Sequence, residues 1–191
     1  YEAKKVLVDE MGGTLITVAK DVKIQVEFNP EKVAGYRLIG YENRLLNQED
    51  FDNDKVDAGE IGSGHSVTAL YEIIPAGNIM AEKELKYQTA GTTTGSSELL
   101  TVNLRYKAPN GDTSRLLEYP VEADSYREQP SENLTFAAAV AEFGMVLRES
   151  ENKGTADYDS AAALAESCIH QDSDDYRKEF LRLVQAAKAY Q

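Results

Sequence analysis

DVKIQVEF, Asp21–Phe28, decides the fold. Val22, Ile24, Val26 and Phe28 alternate with Lys23, Gln25 and Glu27. A period of two puts the apolar side chains on one face of a strand and the polar ones on the other. One wet face argues for an antiparallel sheet, because parallel sheets are covered on both faces and read as unbroken apolar runs. Asn29-Pro30 ends the strand, since proline has no N–H for the ladder.

The same signature recurs on either side. Thr14–Val18 is a short β-prone run, and Val33–Tyr41 is a second, less regular strand. His65–Ile74 follows, with Val67, Ala69, Tyr71 and Ile73 on one face. Leu100, Val102, Leu104 and Tyr106 alternate with Thr101, Asn103, Arg105 and Lys107. Asn110-Gly111 is a strong hairpin signal, and Ser114–Val121 is read as the returning strand. Strands joined by turns, with few helices between them, predict an antiparallel β-sandwich rather than a βαβ sheet. The expected inward set is Val22, Ile24, Val26, Phe28, Val102, Leu104 and Tyr106.

Between these runs, Asn43–Gly64 is rich in Asp, Asn, Glu and Gly and reads as an insertion or long loop, with one helical turn near Asn47–Phe51. Met80–Gln88 is weakly patterned, and Thr89–Ser97 is a turn region.

After Pro130 the period becomes 3.6. Phe136, Val140, Phe143 and Leu147 form an apolar stripe expected in the core. Ala137, Ala141 and Gly144 form a stripe of small residues that would permit close approach. Thr155 or Asp157 can cap a second helix, Tyr158–Ile169. Asp172–Asp175 places acids at the positive end of a third helix, with Tyr176, Phe180, Leu183, Val184 and Ala187 on one face. The expectation is an α+β chain: a β-sandwich over residues 19–125, then about three helices over 130–191 packed on it.

The chain begins on what reads as the end of an amphipathic helix, Tyr1–Met11, stopped by Gly12-Gly13. We expect residues 1–18 to be the remnant of an upstream domain, with the helix and its stop, Tyr1–Gly13, dispensable for the fold that follows.

The 191 residues carry a net charge of −13. Such a field repels phosphate backbones and anionic lipid, so neither nucleic-acid binding nor membrane insertion is expected. No apolar run reaches the roughly 18 residues that span a bilayer. The lone Cys168 cannot form an intrachain disulfide.

Chemistry is thinly marked. Asp50, Asp52, Asp54, Asp57 and Glu60 have spacing that could wrap a calcium ion. Lys55 replaces the loop glycine, however, and Ile61 the terminal glutamate, so a metal-free acidic loop is favoured. Gly62-Ser63-Gly64-His65-Ser66 lacks the phosphate-loop lysine and leads into a strand, which reads as a tight turn. His65, His170 and Cys168 fall short of the four ligands of a structural zinc site. A Cys–His nucleophile would need His65 to fold onto Cys168, and an inert buried thiol is the better reading. Of the eleven tyrosines, Tyr36, Tyr41, Tyr71, Tyr106 and Tyr119 fall on expected strands, and most read as core or half-buried sheet residues rather than sugar-stacking platforms.

Four strings in order, DVKIQVEFNP at 21–30, YRLIGYENR at 36–44, DAGEIGSGHSVTALYEI at 57–73 and FAAAVAEFGMVLR at 136–148, resemble the C-terminal region of bacterial von Willebrand factor A domain-containing proteins. The resemblance spans nearly the whole chain. It implies that residues 1–18 close an upstream A domain, and that the parent is an exported lipoprotein in the periplasm or at the cell surface. The A domain's D-x-S-x-S metal motif does not occur here, so no metal residue carries over. The expected function is therefore a non-catalytic accessory or protein-interaction module. Its expected partners are the upstream A domain and an unidentified protein. No cofactor and no catalytic residue are expected. The alternative is a calcium-dependent binding module using loop 50–60.

Overall fold

β1, Thr17–Phe28, joins the two β-prone runs of the sequence into one twelve-residue strand. A bulge at Asp21 interrupts it. There φ is +51°, and the pairing register slips on both sides of the strand. Aspartate tolerates the left-handed region better than a branched residue does, and a bulge re-aims the side chains around it. The computed structural model describes residues 16–41, 45, 50–56, 58–77, 95–172 and 175–190. The expected helix at Tyr1–Met11, the segment Met80–Gln88, most of Thr89–Ser97 and most of the turn Asn47–Phe51 lie outside the described residues. Two compact units divide the chain, Tyr1–Tyr126 and Arg127–Gln191.

In the first unit, β1 pairs antiparallel with β5 (Glu98–Lys107), and β5 turns back into β6 (Ser114–Glu122). The apolar positions fall in register. Ile24 lies opposite Leu104, and Leu104 opposite Leu117; Val26 lies opposite Val102, and Val102 opposite Tyr119. A short strand, β3 (Gly59–Gly62), completes the order β3-β1-β5-β6. It falls inside the segment read from sequence as loop. The sequence GEIG has too little alternation to announce a strand, and its pairing with the start of β1 makes it one.

β2 (Val33–Ile39) and β4 (Leu70–Pro75) form a second antiparallel sheet, with Arg37 and Glu72 paired across it. β4 starts later than expected. Residues 65–69 carry no regular structure, and Val67 is exposed. Phe28 at the end of β1 stacks on Tyr36 of β2, with centroids 4.2 Å apart, and meets Tyr71 of β4 edge-on at 5.4 Å.

The inward set needs one correction. Ile24 is 53% exposed, whereas its neighbour Lys23 is only 4% exposed. The alternation itself holds, since Ile24 shares a face with Leu104. At this end of β1, however, the nominally wet face is the one covered by a loop. Val22, Val26, Phe28, Val102, Leu104 and Tyr106 are half-buried.

The second unit holds α1 (Glu132–Leu147), α2 (Tyr158–Ser167) and α3 (Tyr176–Ala189). The Ser131 hydroxyl caps α1 by accepting from the N–H of Leu134. Asp157 caps α2 in a reciprocal box with Ser160, and that backbone N–H holds the Asp157 carboxyl below its usual range. Asp172 accepts from the N–H of Lys178 at the start of α3, so the acidic start expected there does meet orphan donors. Val146, Tyr158, Ala161 and Val184 form the core, and the rings of Phe136 and Phe143 pack edge-on against Phe180.

Three helical readings change. Val140 and Leu147 are exposed, and the packed face of α1 runs Phe136, Ala139, Phe143, Val146 instead. Spacings of three, four, three fit 3.6 residues per turn as well as four, three, four, so the pattern alone could not choose between faces. Leu183 is likewise exposed beside a fully buried Val184. The small residue that α1 buries fully is Ala139, whereas a Cβ added at Gly144 would meet nothing within 4 Å. Gly144→Ala is therefore expected to stabilise the protein by about 0.5–1 kcal/mol, through the entropy glycine loses in a helix. A urea titration reads it as a higher midpoint at unchanged slope.

The expected α+β class is the observed one: among the described residues, six strands in two antiparallel sheets precede three α-helices.

Candidate functional site: a clasped acidic loop and an open apolar face

The two faces of the β3-β1-β5-β6 sheet differ in chemistry. The odd-numbered positions of β1 and β5 around the bulge carry Lys23, Arg105 and Lys107, with Lys23 opposite Arg105. Loop 50–56 lies against these cations. Lys23 Nζ donates to the carbonyl oxygens of Asp50 (2.9 Å) and Asn53 (2.5 Å). Arg105 pairs with the Asp52 carboxylate at 2.5 Å, donates to Ser114 Oγ at 3.0 Å and stands 5.5 Å over the Phe51 ring. Lys107 donates to the Asp54 carbonyl at 3.0 Å and pairs with Asp21 at 2.7 Å. The Asp21 hydrogen bond raises the Lys107 pKa above its ordinary value. Phe51 is 7% exposed and supplies the loop's apolar anchor.

Four of the five candidate calcium ligands fall among the described residues. Asp52 is ion-paired with Arg105, and the main chains of Asp50 and Asp54 face lysines. Glu60 lies on β3 and accepts from Thr17 Oγ1 at 3.2 Å. Asp57 lies outside the described residues. Among the described residues, no three His, Cys, Asp or Glu side chains gather as a metal site would need. Sequence reading missed the clasp, because Lys23, Arg105 and Lys107 alternate with apolar residues along two strands and read as ordinary wet-face charges.

The other motifs are local. Gly64 sits at φ +77° in a turn closed by the His65 N–H to the Gly62 carbonyl, and His65 is exposed. Cys168 is 1% exposed, with its thiol directed at the Leu164 carbonyl at the end of α2. His170 is exposed in the short helical turn that follows.

The opposite face of the sheet is apolar and open. Ile24, Leu117 and Tyr119 lie on it beside Val26, Val102 and Leu104, and Tyr119 is 70% exposed. The half-buried-tyrosine reading is corrected accordingly: Tyr36, Tyr41 and Tyr119 are exposed. Tyr71 is more enclosed, and burial, followed by the Tyr36 hydroxyl, raises its pKa. Among the described residues, no helix is long and apolar enough to cross a membrane.

The chain is 42% identical over 189 residues to the Escherichia coli (strain K12) protein described as "Uncharacterized protein YfbK". That match takes in 97% of this chain and 32% of the relative, so the chain spans about a third of the length of the curated relative it matches. No solved structure matches. The family model described as "Uncharacterized protein YfbK, C-terminal" matches residues 13–190, and the chain belongs to that family.

Proposed function

We propose that this chain is a non-catalytic interaction module. On this reading its open sheet face docks the von Willebrand factor A domain expected upstream in the same polypeptide. The observation that carries the reading is the face itself. Ile24 on β1 and Leu117 and Tyr119 on β6 are exposed on one face of the sheet, flanking the half-buried Val102 and Leu104 of β5 between them. Contiguous apolar surface of this kind marks an interaction site more often than isolated exposed residues do. Tyrosine at its centre suits an interface, since it offers apolar area and a polar tip at small entropic cost.

The chemistry of the remaining residues supports a binding role over a catalytic one. Asp52, Arg105 and Lys107 are engaged in holding the loop, and Cys168 is enclosed. The resemblance to exported lipoproteins supports an extracytoplasmic site of action, in the periplasm or at the cell surface.

Titration calorimetry of this chain against the separately produced A domain tests the proposal. Tyr119→Arg is expected to weaken binding about tenfold or more, because a charge is forced into a desolvated contact. Gln185→Arg on the exposed side of α3 is expected to change it little. No binding by the parent chain, or equal binding by Tyr119→Arg, overturns it.

A further inference from the structure

We propose that loop 50–56 carries its own cation. The Lys23 ammonium takes the central place that a metal ion holds in aspartate-rich loops, so the loop is latched at any metal concentration. Two features carry this. First, the carbonyls of Asp50 and Asn53, three residues apart, converge on one ammonium. Convergent main-chain oxygens from a short loop are how a cation organises a segment that has little regular structure. Second, Lys23 is 4% exposed, and a buried charge persists only when its partners replace water.

The rest of the clasp is built around that centre. Arg105 and Lys107 hold Asp52 and the Asp54 carbonyl, and the buried Phe51 ring lies beneath the Arg105 guanidinium. A covalently attached cation differs from a bound metal in one consequential respect. It cannot dissociate, so the loop keeps one shape whether or not divalent ions are present. The inference concerns the face opposite the proposed docking surface and does not depend on it.

Native-state amine acylation of the unmodified protein, read by mass spectrometry, tests the latch. Lys23 is expected to react at least about tenfold more slowly than the exposed Lys32, because the closed loop must open first. Calcium chloride is expected to change neither that rate nor the melting temperature. Two results would overturn the proposal: Lys23 reacting as fast as Lys32, or calcium slowing the reaction or raising the melting temperature.

Discussion

Val184→Asp is expected to abolish cooperative folding of the helical unit. Val184 is 0% exposed and shares the core with Val146, Tyr158 and Ala161. A carboxylate there loses its hydration among side chains that are apolar but for the Tyr158 hydroxyl. Burying a charge unpaired costs several kcal/mol, and proteins of this size have only about 5–15 kcal/mol to lose. We expect destabilisation of about 4 kcal/mol or more, at the extreme of single substitutions. Far-ultraviolet circular dichroism reads the outcome as loss of the helical signal and of a sharp melt. Val184→Ala is the milder companion. It should cost about 2 kcal/mol from two lost methyl groups and a small cavity, and keep the melt cooperative. A folded Val184→Asp would mean that α3 does not supply the centre of this core.

Phe51→Ala is the second large effect, and it acts on the sheet unit. The ring is 7% exposed and lies beneath the Arg105 guanidinium. Its removal leaves a void against the sheet and withdraws the buried apolar residue of a loop whose other ties to the sheet include several polar contacts. Truncating a buried phenylalanine costs about 3–5 kcal/mol. We expect the lower end, about 3 kcal/mol, because a surface loop collapses into the void more readily than a core does. A urea midpoint shift at unchanged slope measures it. A shift no larger than that of an exposed-site substitution would mean that the polar contacts hold the loop unaided.

What was legible in the sequence was periodicity. Alternation through Asp21–Phe28 and Leu100–Lys107 gave strands whose register matches, and Asn110-Gly111 lies in the turn between β5 and β6. The change of period after Pro130 marked the helices. Periodicity says which residues share a face but not which face is covered. Ile24 and Lys23 show the difference: alternation separated them correctly, and the loop then covered the lysine. The same ambiguity moved the packed stripe of α1 from Val140 and Leu147 to Ala139 and Val146. The clasp was illegible for another reason. It joins Lys23 to Asp50 and Asp52 to Arg105, contacts of long sequence separation made by residues that each look like ordinary surface charges.

The central claim is that the open sheet face docks a partner domain, and thiol protection at Tyr119 tests it most directly. Cys168 is the only native cysteine and is buried, so a cysteine introduced as Tyr119→Cys reports alone. The account predicts rapid labelling in this chain by itself, and labelling slowed about tenfold or more when the A domain is present at saturating concentration. Equal labelling rates with and without the A domain would contradict it.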